Sequence, residues 1–139
     1  MSQLVRFSVS MDSELLDNFD ALAKRRGAAN RSEAIRDLIR DALVEEDWKS
    51  GKGEAMAAVV IVYDHHSRDI NNRLNGIQHE NPGAVVSSLH IHMDEHRCME
   101  IIVLRGEREL LSQLAYRIVG TRGVIHGRML TSTTGKGLS

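Results

Sequence analysis

His90 and His92 stand one residue apart in Ser88-Leu89-His90-Ile91-His92-Met93, and Cys98, the one cysteine of the chain, follows after a short polar run. Imidazole nitrogen and thiolate sulfur are the donors that hold transition metals. Alternate side chains of a β-strand share a face, so the two imidazoles point one way while Leu89, Ile91 and Met93 point the other. Asp94-Glu95-His96-Arg97 reads as a hairpin turn, and Cys98-Met99-Glu100-Ile101-Ile102-Val103-Leu104 as the returning strand. The turn carries the thiol back beside the imidazoles. A lone cysteine is more often a small buried hydrophobe, and polar residues alternating along a strand are more often its wet face. The run of His-x-His into a hairpin that ends on Cys is what sets a metal site against those readings. Glu100 falls on the face of Cys98, either as an acceptor for an imidazole N–H or as a solvated strand residue.

The elements that must position this hairpin form a βαββαβ series from about Glu54 to Ser132. Ala57-Ala58-Val59-Val60-Ile61-Val62-Tyr63 reads as a buried strand, and His66 through Gln78 as a helix with Ile70, Leu74 and Ile77 inward. The hairpin comes next. Gly106 closes its second strand, Glu107 to Val119 is helical with Leu110, Leu111, Leu114 and Ile118 inward, and Gly120 and Gly123 bracket the turn into a strand from Val124 to Leu130. That order predicts a ferredoxin-like, ACT-like sandwich, a class that associates through its sheets or helices. His65, His66, His96 and His126 read as structural or surface residues, although Asp64 and His65 are placed to join a weaker site.

Ahead of this segment lies a different pattern. Val5, Phe7, Val9 and Met11 alternate with Arg6, Ser8 and Ser10, a period of two. Asp12 is the expected N-cap of a helix through Arg26, with Gly27 as its stop. Asn30 caps a second helix, with Glu33 as capping-box partner and Ala34, Ile35, Leu38, Ile39, Ala42 and Leu43 as its apolar stripe. One strand and two helices cannot satisfy the strand's backbone or bury both stripes, so this unit must dimerise. Paired antiparallel, two copies of the strand would cover four helices and project Arg6, Ser8 and Ser10 outward. Such a ribbon fits the major groove of DNA.

The chain has 139 residues, 42% of them hydrophobic, and a net charge of −1. Bulk charge therefore points to neither nucleic acid nor anionic membrane, and DNA contact must come from a local patch. One cysteine excludes an intramolecular disulfide. No signal peptide opens the sequence and no apolar run approaches the roughly 20 residues of a membrane helix, so a reducing cytoplasm is expected and no membrane partner. The boundaries expected are a DNA-binding unit over 1–47, a charged, glycine-containing linker over 48–54, the metal-binding unit over 55–132 and a frayed tail over 133–139. Trp48 reads as packing the end of the second helix.

The first segment resembles the ribbon-helix-helix DNA-binding family, in which the start of the second helix, here Asn30-Arg31-Ser32, sets its amides against phosphate. The whole chain is similar to the nickel-responsive transcriptional regulators (NikR). The resemblance rests on Gly27 with Asn30-Arg31-Ser32-Glu33-Ala34-Ile35-Arg36-Asp37, on Gln78-His79, on Leu89-His90-Ile91-His92 with Cys98 and Glu100, and on Arg122-Gly123-Val124-x-His126-Gly127. It implies an α+β protein: an intertwined ribbon-helix-helix dimer followed by an ACT-like domain, assembled as a homotetrameric dimer of dimers. It implies a cytoplasmic repressor of nickel uptake that binds palindromic double-stranded DNA and one Ni²⁺ per subunit. The ligands carried over are His90, His92 and Cys98 of one subunit and His79 of its neighbour. Four such donors in a plane suit Ni²⁺, and also Cu²⁺, where Zn²⁺ prefers a tetrahedron. The family also places a second cation, for which Glu33 and Asp37 match; read alone, they are a capping Glu and an exposed Asp.

Other readings share parts of the chain. A ribbon-helix-helix antitoxin or plasmid repressor would share the first half, and an ACT-type sensor of another metal or a small molecule the second. A metalloenzyme needs an open coordination position and a convergent acid or base. No such constellation is present in the sequence, so no enzyme is expected.

Overall fold

The computed structural model describes residues 2–139. The chain divides into a compact unit that ends at Ala42 and another that begins at Leu43. In the first, helix α1 (Ser13–Arg25) starts where the Asp12 carboxylate accepts the amide of Glu14 at 2.9 Å. Gly27 has a φ of 73°, which lets the amide of Ala28 return to the carbonyl of Ala23 at 3.0 Å and closes the helix. Helix α2 (Arg31–Ser50) opens with the Asn30 side chain accepting the amide of Glu33 at 2.9 Å. The reciprocal arm of the expected capping box is replaced, because the Glu33 carboxylate turns to the guanidinium groups of Arg36 and Arg40.

The strand expected over Leu4–Met11 is not formed within the single chain. A strand is defined by its ladder, and no described segment of the same chain pairs with residues 2–12. The alternation is nevertheless visible as exposed apolar surface: Val5 is 75%, Phe7 70% and Val9 61% accessible.

The break expected over 48–54 is shorter than the composition suggests. Helix α2 runs on to Ser50 and ends at Gly51 and Gly53, whose φ values of 67° and 82° suit glycine. Trp48 packs against the core of the second unit, and its indole N–H donates to the carbonyl of Ser132 at 2.8 Å. The buried Arg108 holds the same stretch through the carbonyl of Lys52 and the Asp47 carboxylate.

The second unit contains β1 (Glu54–Asp64), α3 (Ile70–Glu80), β2 (Val85–His92), β3 (Arg97–Glu107), α4 (Arg108–Val119) and β4 (Val124–Thr131). This is the expected βαββαβ order, with an antiparallel sheet arranged β2-β3-β1-β4. On β1 the residues Ala55, Ala57, Val59, Ile61 and Tyr63 are buried, and on β3 Cys98, Glu100, Ile102 and Leu104. All of these but Ala55 and Glu100 meet Leu111, Leu114, Ala115 and Ile118 of α4 and Ile70 and Leu74 of α3 in one core. Helix α3 begins at Ile70 rather than at His66. The Asp64 carboxylate accepts the amide of His66 at 2.8 Å, making a turn there, and Asp69 takes a left-handed φ of 64°, through which a right-handed helix cannot propagate.

Candidate metal centre

The hairpin turn is fixed by one side chain. Asp94 accepts the amides of His96 and Arg97 at 2.9 and 2.8 Å and pairs with the Arg97 guanidinium, which together hold its carboxyl well below the usual carboxylate range. This turn sets the register of β2 and β3. His92 lies directly across from Cys98, and His90 across from Glu100. The Cys98 sulfur stands 3.4 Å from Nδ1 of His92, and the rings of His90 and His92 are 5.2 Å apart. Cys98 and His92 are therefore together, and His90 stands next to His92 on the same face, turned to Tyr63, beside a cleft of about 410 Å³ lined by Tyr63, His65, Asn71, Leu74, Asn75, His90, His92 and Glu100.

His79 is not brought to this cluster. It sits exposed in the last turn of α3, while its neighbour Gln78 donates to the Glu100 carboxylate at 3.3 Å. Instead His65, which follows β1, places its Nδ1 3.2 Å from the Cys98 sulfur. One ligand atom each from His65, His92 and Cys98 lies within 4.8 Å of the others. Metal–nitrogen and metal–sulfur bonds of about 2.0–2.3 Å allow one ion to touch all three. The set is nitrogen and sulfur, which fits Ni²⁺, Cu²⁺ or Zn²⁺ and not a hard oxygen-seeking cation. The sequence offers His65 only for a weaker site with Asp64, because its place beside Cys98 depends on β1 pairing with β3, and Tyr63 lies opposite Cys98 in that ladder.

Glu100 does not accept directly from an imidazole. Its buried carboxylate accepts the Tyr63 hydroxyl at 3.2 Å, and the Tyr63 oxygen lies 3.2 Å from Nδ1 of His90. The same oxygen lies 3.4 Å from Nε2 of His90, so with its own proton given to the carboxylate the phenol oxygen accepts from whichever nitrogen of that ring carries hydrogen and leaves the other free for a metal. Burial, reinforced by Glu100, pushes the Tyr63 hydroxyl far up, so it stays protonated. Burial also raises the Cys98 thiol, aided by the carboxylates of Asp94, Asp64 and Glu100. At neutral pH the metal-free sulfur is a thiol, and loading displaces its proton.

Among the residues expected to contact DNA, Arg6, Ser8, Ser10 and Ser32 are exposed. Asn30 is engaged as the cap of α2. The Arg31 guanidinium is held in a two-point pair by Asp20, both contacts 2.8 Å, and the pairing lowers the Asp20 carboxyl. Glu33 and Asp37 share one cation already, with Arg40 lying 3.3 Å from the first and 3.0 Å from the second.

A family model described as the NikR C terminal nickel binding domain matches residues 56–132, and one for ribbon-helix-helix proteins of the copG family matches residues 5–46. Relatives named "Putative nickel-responsive regulator" match almost end to end. One from Geobacter sp. (strain M21) is 46% identical over 99% of both chains, and one from Solibacter usitatus (strain Ellin6076) is 47% identical over 97% of both. Among solved structures, an uncharacterized protein from Thermotoga maritima is similar at a TM-score of 0.50 and 12% identity, covering 57% of this chain and 98% of its own. That likeness concerns fold alone.

Proposed function

Since this chain belongs to the nickel-responsive regulator family, we propose that it represses nickel-uptake genes when nickel is bound, by presenting its ribbon to a palindromic operator. It is a nickel-sensing transcriptional regulator, of a family that regulates transcription rather than catalysing a reaction. It binds DNA and oligomerises, as a ribbon-helix-helix protein does. No helix among the described residues is long and apolar enough to cross a membrane. We assign its work to the cytoplasm, where its DNA lies.

The observation that carries this reading is the hairpin register, which sets Cys98 across from His92 with the sulfur 3.4 Å from its Nδ1 and puts His90 on the same face, its ring 5.2 Å from that of His92. We assign these three as ligands in one subunit and His79 of the partner subunit as the fourth, in a planar set of one site per subunit. A bound Ni²⁺ would supply the centre that joins the nitrogen and sulfur donors of two subunits. The exposure of His79, away from its own hairpin, favours its use by a neighbour. A ligand set divided between subunits is complete in only one arrangement of a tetramer, so loading selects that arrangement and with it one placement of the two ribbon dimers. Operator DNA with two spaced half-sites selects the same one, and the coupling is reciprocal. Val5, Phe7, Val9 and Met11 would close the ribbon against a second copy, with Arg6, Ser8 and Ser10 toward base edges and the start of α2 toward phosphate. A second cation at Glu33 and Asp37 would require Arg40 to leave both carboxylates.

The test is a titration of a fluorescent palindromic promoter fragment with and without Ni²⁺. Wild-type protein should bind at least tenfold more tightly with nickel, while His90→Ala should bind equally with and without it and Arg6→Ala should lose sequence preference. If nickel leaves wild-type affinity unchanged, the regulatory reading fails.

A further inference from the structure

The metal centre and the end of α2 are attached to opposite ends of one ladder. Strands β1 and β3 pair along their whole length, from Tyr63 against Cys98 at the centre to Glu54 against Glu107 at the far end. At about 3.3 Å per residue, these 11-residue strands set the two ends roughly 30 Å apart. At the far end the chain between α2 and β1 is tied down step by step. The amide of Lys52 donates to the Ser50 hydroxyl at 3.3 Å, the amide of Gly53 to the Glu107 carboxylate at 3.1 Å, and the amide of Arg108 to the carbonyl of Gly53 at 3.0 Å. The Arg108 guanidinium donates to the carbonyl of Lys52 and pairs with Asp47 at 3.6 Å. A Cβ on Gly53 would stand 2.6 Å from that guanidinium, so the strap is closely packed as well as bonded. A charged, glycine-containing stretch is a hinge by default. Here its backbone is held.

The last turns of α2 are held from a second side. The chain divides between Ala42 and Leu43, inside α2, so the residues from Leu43 onward, Arg108 and Ser132 all belong to the second unit. From Leu43 to Ser50 only Val44 and Trp48 are not exposed, and at a spacing of four they share one helix face. The Trp48 indole donates to the carbonyl of Ser132, whose amide donates in turn to the carbonyl of Met56 on β1 at 2.9 Å. The Nε of buried Arg108 has no partner among the described residues. An apolar side chain would pack the start of α4 at lower cost. The guanidinium instead fixes where Asp47 and Lys52 lie.

We propose that Trp48 and Arg108 are positioning residues that clamp the last two turns of α2 to the metal-binding unit, so that the arrangement selected by nickel reaches the ribbon through α2. The proposal rests on the reading above, in which nickel selects one arrangement of the tetramer. A free strap would let the ribbon take any placement whatever that arrangement, and the coupling between metal and DNA would vanish. The clamp removes that freedom, and the β1–β3 ladder joins it to the centre.

The test begins with hydrogen exchange on the full-length, metal-free protein. Residues 43–50 should exchange slowly in the wild type and about tenfold faster in Arg108→Met and in Trp48→Phe, which keep apolar bulk at each site but lose the bonds to Lys52, Asp47 and Ser132. The same proteins are then titrated with the fluorescent promoter fragment, with and without Ni²⁺. The gain in operator affinity on adding nickel should fall to about twofold in both variants, while nickel affinity without DNA, from chelator competition, stays unchanged. Asp47→Ala removes only the exposed partner of Arg108 and should move exchange and gain in the same direction, which keeps the proposal open to refutation if a core variant unfolds. Rapid exchange of residues 43–50 in the wild type overturns the proposal, as does a loss of nickel affinity matching the loss of gain. A wild type with no nickel-dependent gain overturns the reading above and this proposal with it, whereas a full gain retained in the variants overturns the proposal alone.

Discussion

Tyr63 is the residue whose role is least like its sequence context. It closes a run of apolar strand residues and is fully buried, yet its hydroxyl joins Glu100 to His90 across three strands. Hydrogen bonds of this kind orient a ligand and set its tautomer, and their loss costs about 10–100-fold in metal affinity. Tyr63→Phe should therefore weaken nickel binding by about that factor in chelator competition while leaving the ligand count intact. It should also destabilise the fold by about 1–3 kcal/mol in urea, because the buried Glu100 carboxylate loses a donor. Unchanged nickel affinity would reduce Tyr63 to a packing residue. Glu100 itself was visible in the sequence as a residue on the ligand face, but its partner was not. Strand alternation gives the face of a residue and not its neighbour on the next strand.

At the scale of elements, the hairpin was the most legible part because everything that sets it is local. Asp94 makes the turn, and the period of two then puts His92 opposite Cys98. The start of α3 was misplaced by four residues because the Asp69 backbone conformation carries no periodic signal. The motif Arg122-Gly123-Val124-x-His126-Gly127 finds its reason in packing. A Cβ on Gly127 would stand 2.9 Å from both Ile61 on β1 and Val119 at the end of α4, so the small residue lets α4 close over β4. Gly127→Ala should cost about 1–3 kcal/mol of stability through overpacking, read from the urea midpoint of the C-terminal unit. Wild-type stability in that variant would mean that α4 shifts freely.

For the whole molecule, the first unit has a surface that only another chain can complete. In α1 no residue is buried and in the part of α2 before Leu43 only Ala34, while Leu4, Val5, Phe7 and Val9 are all more than half exposed. A second copy supplies both the ladder partner and the apolar cover. Phe7→Asp places a charge in that seam. It should abolish operator binding and lower the assembly state in sedimentation, while nickel stoichiometry persists, since the ligands lie in the other unit. Retained operator affinity would remove the ribbon from the dimer interface.

By itself the sequence determined the two helices of the first unit, the element order of the second, and the hairpin with His90, His92 and Cys98 on one face of it, since each follows from local periodicity, caps and turn chemistry. Tertiary structure decided which groups surround those donors. It brought His65 to the sulfur, inserted Tyr63 between His90 and Glu100, and left His79 outside the cluster of its own chain. Those placements depend on β1 pairing with β3 over more than thirty residues of chain, and a pairing that distant leaves no trace in the pattern of either strand.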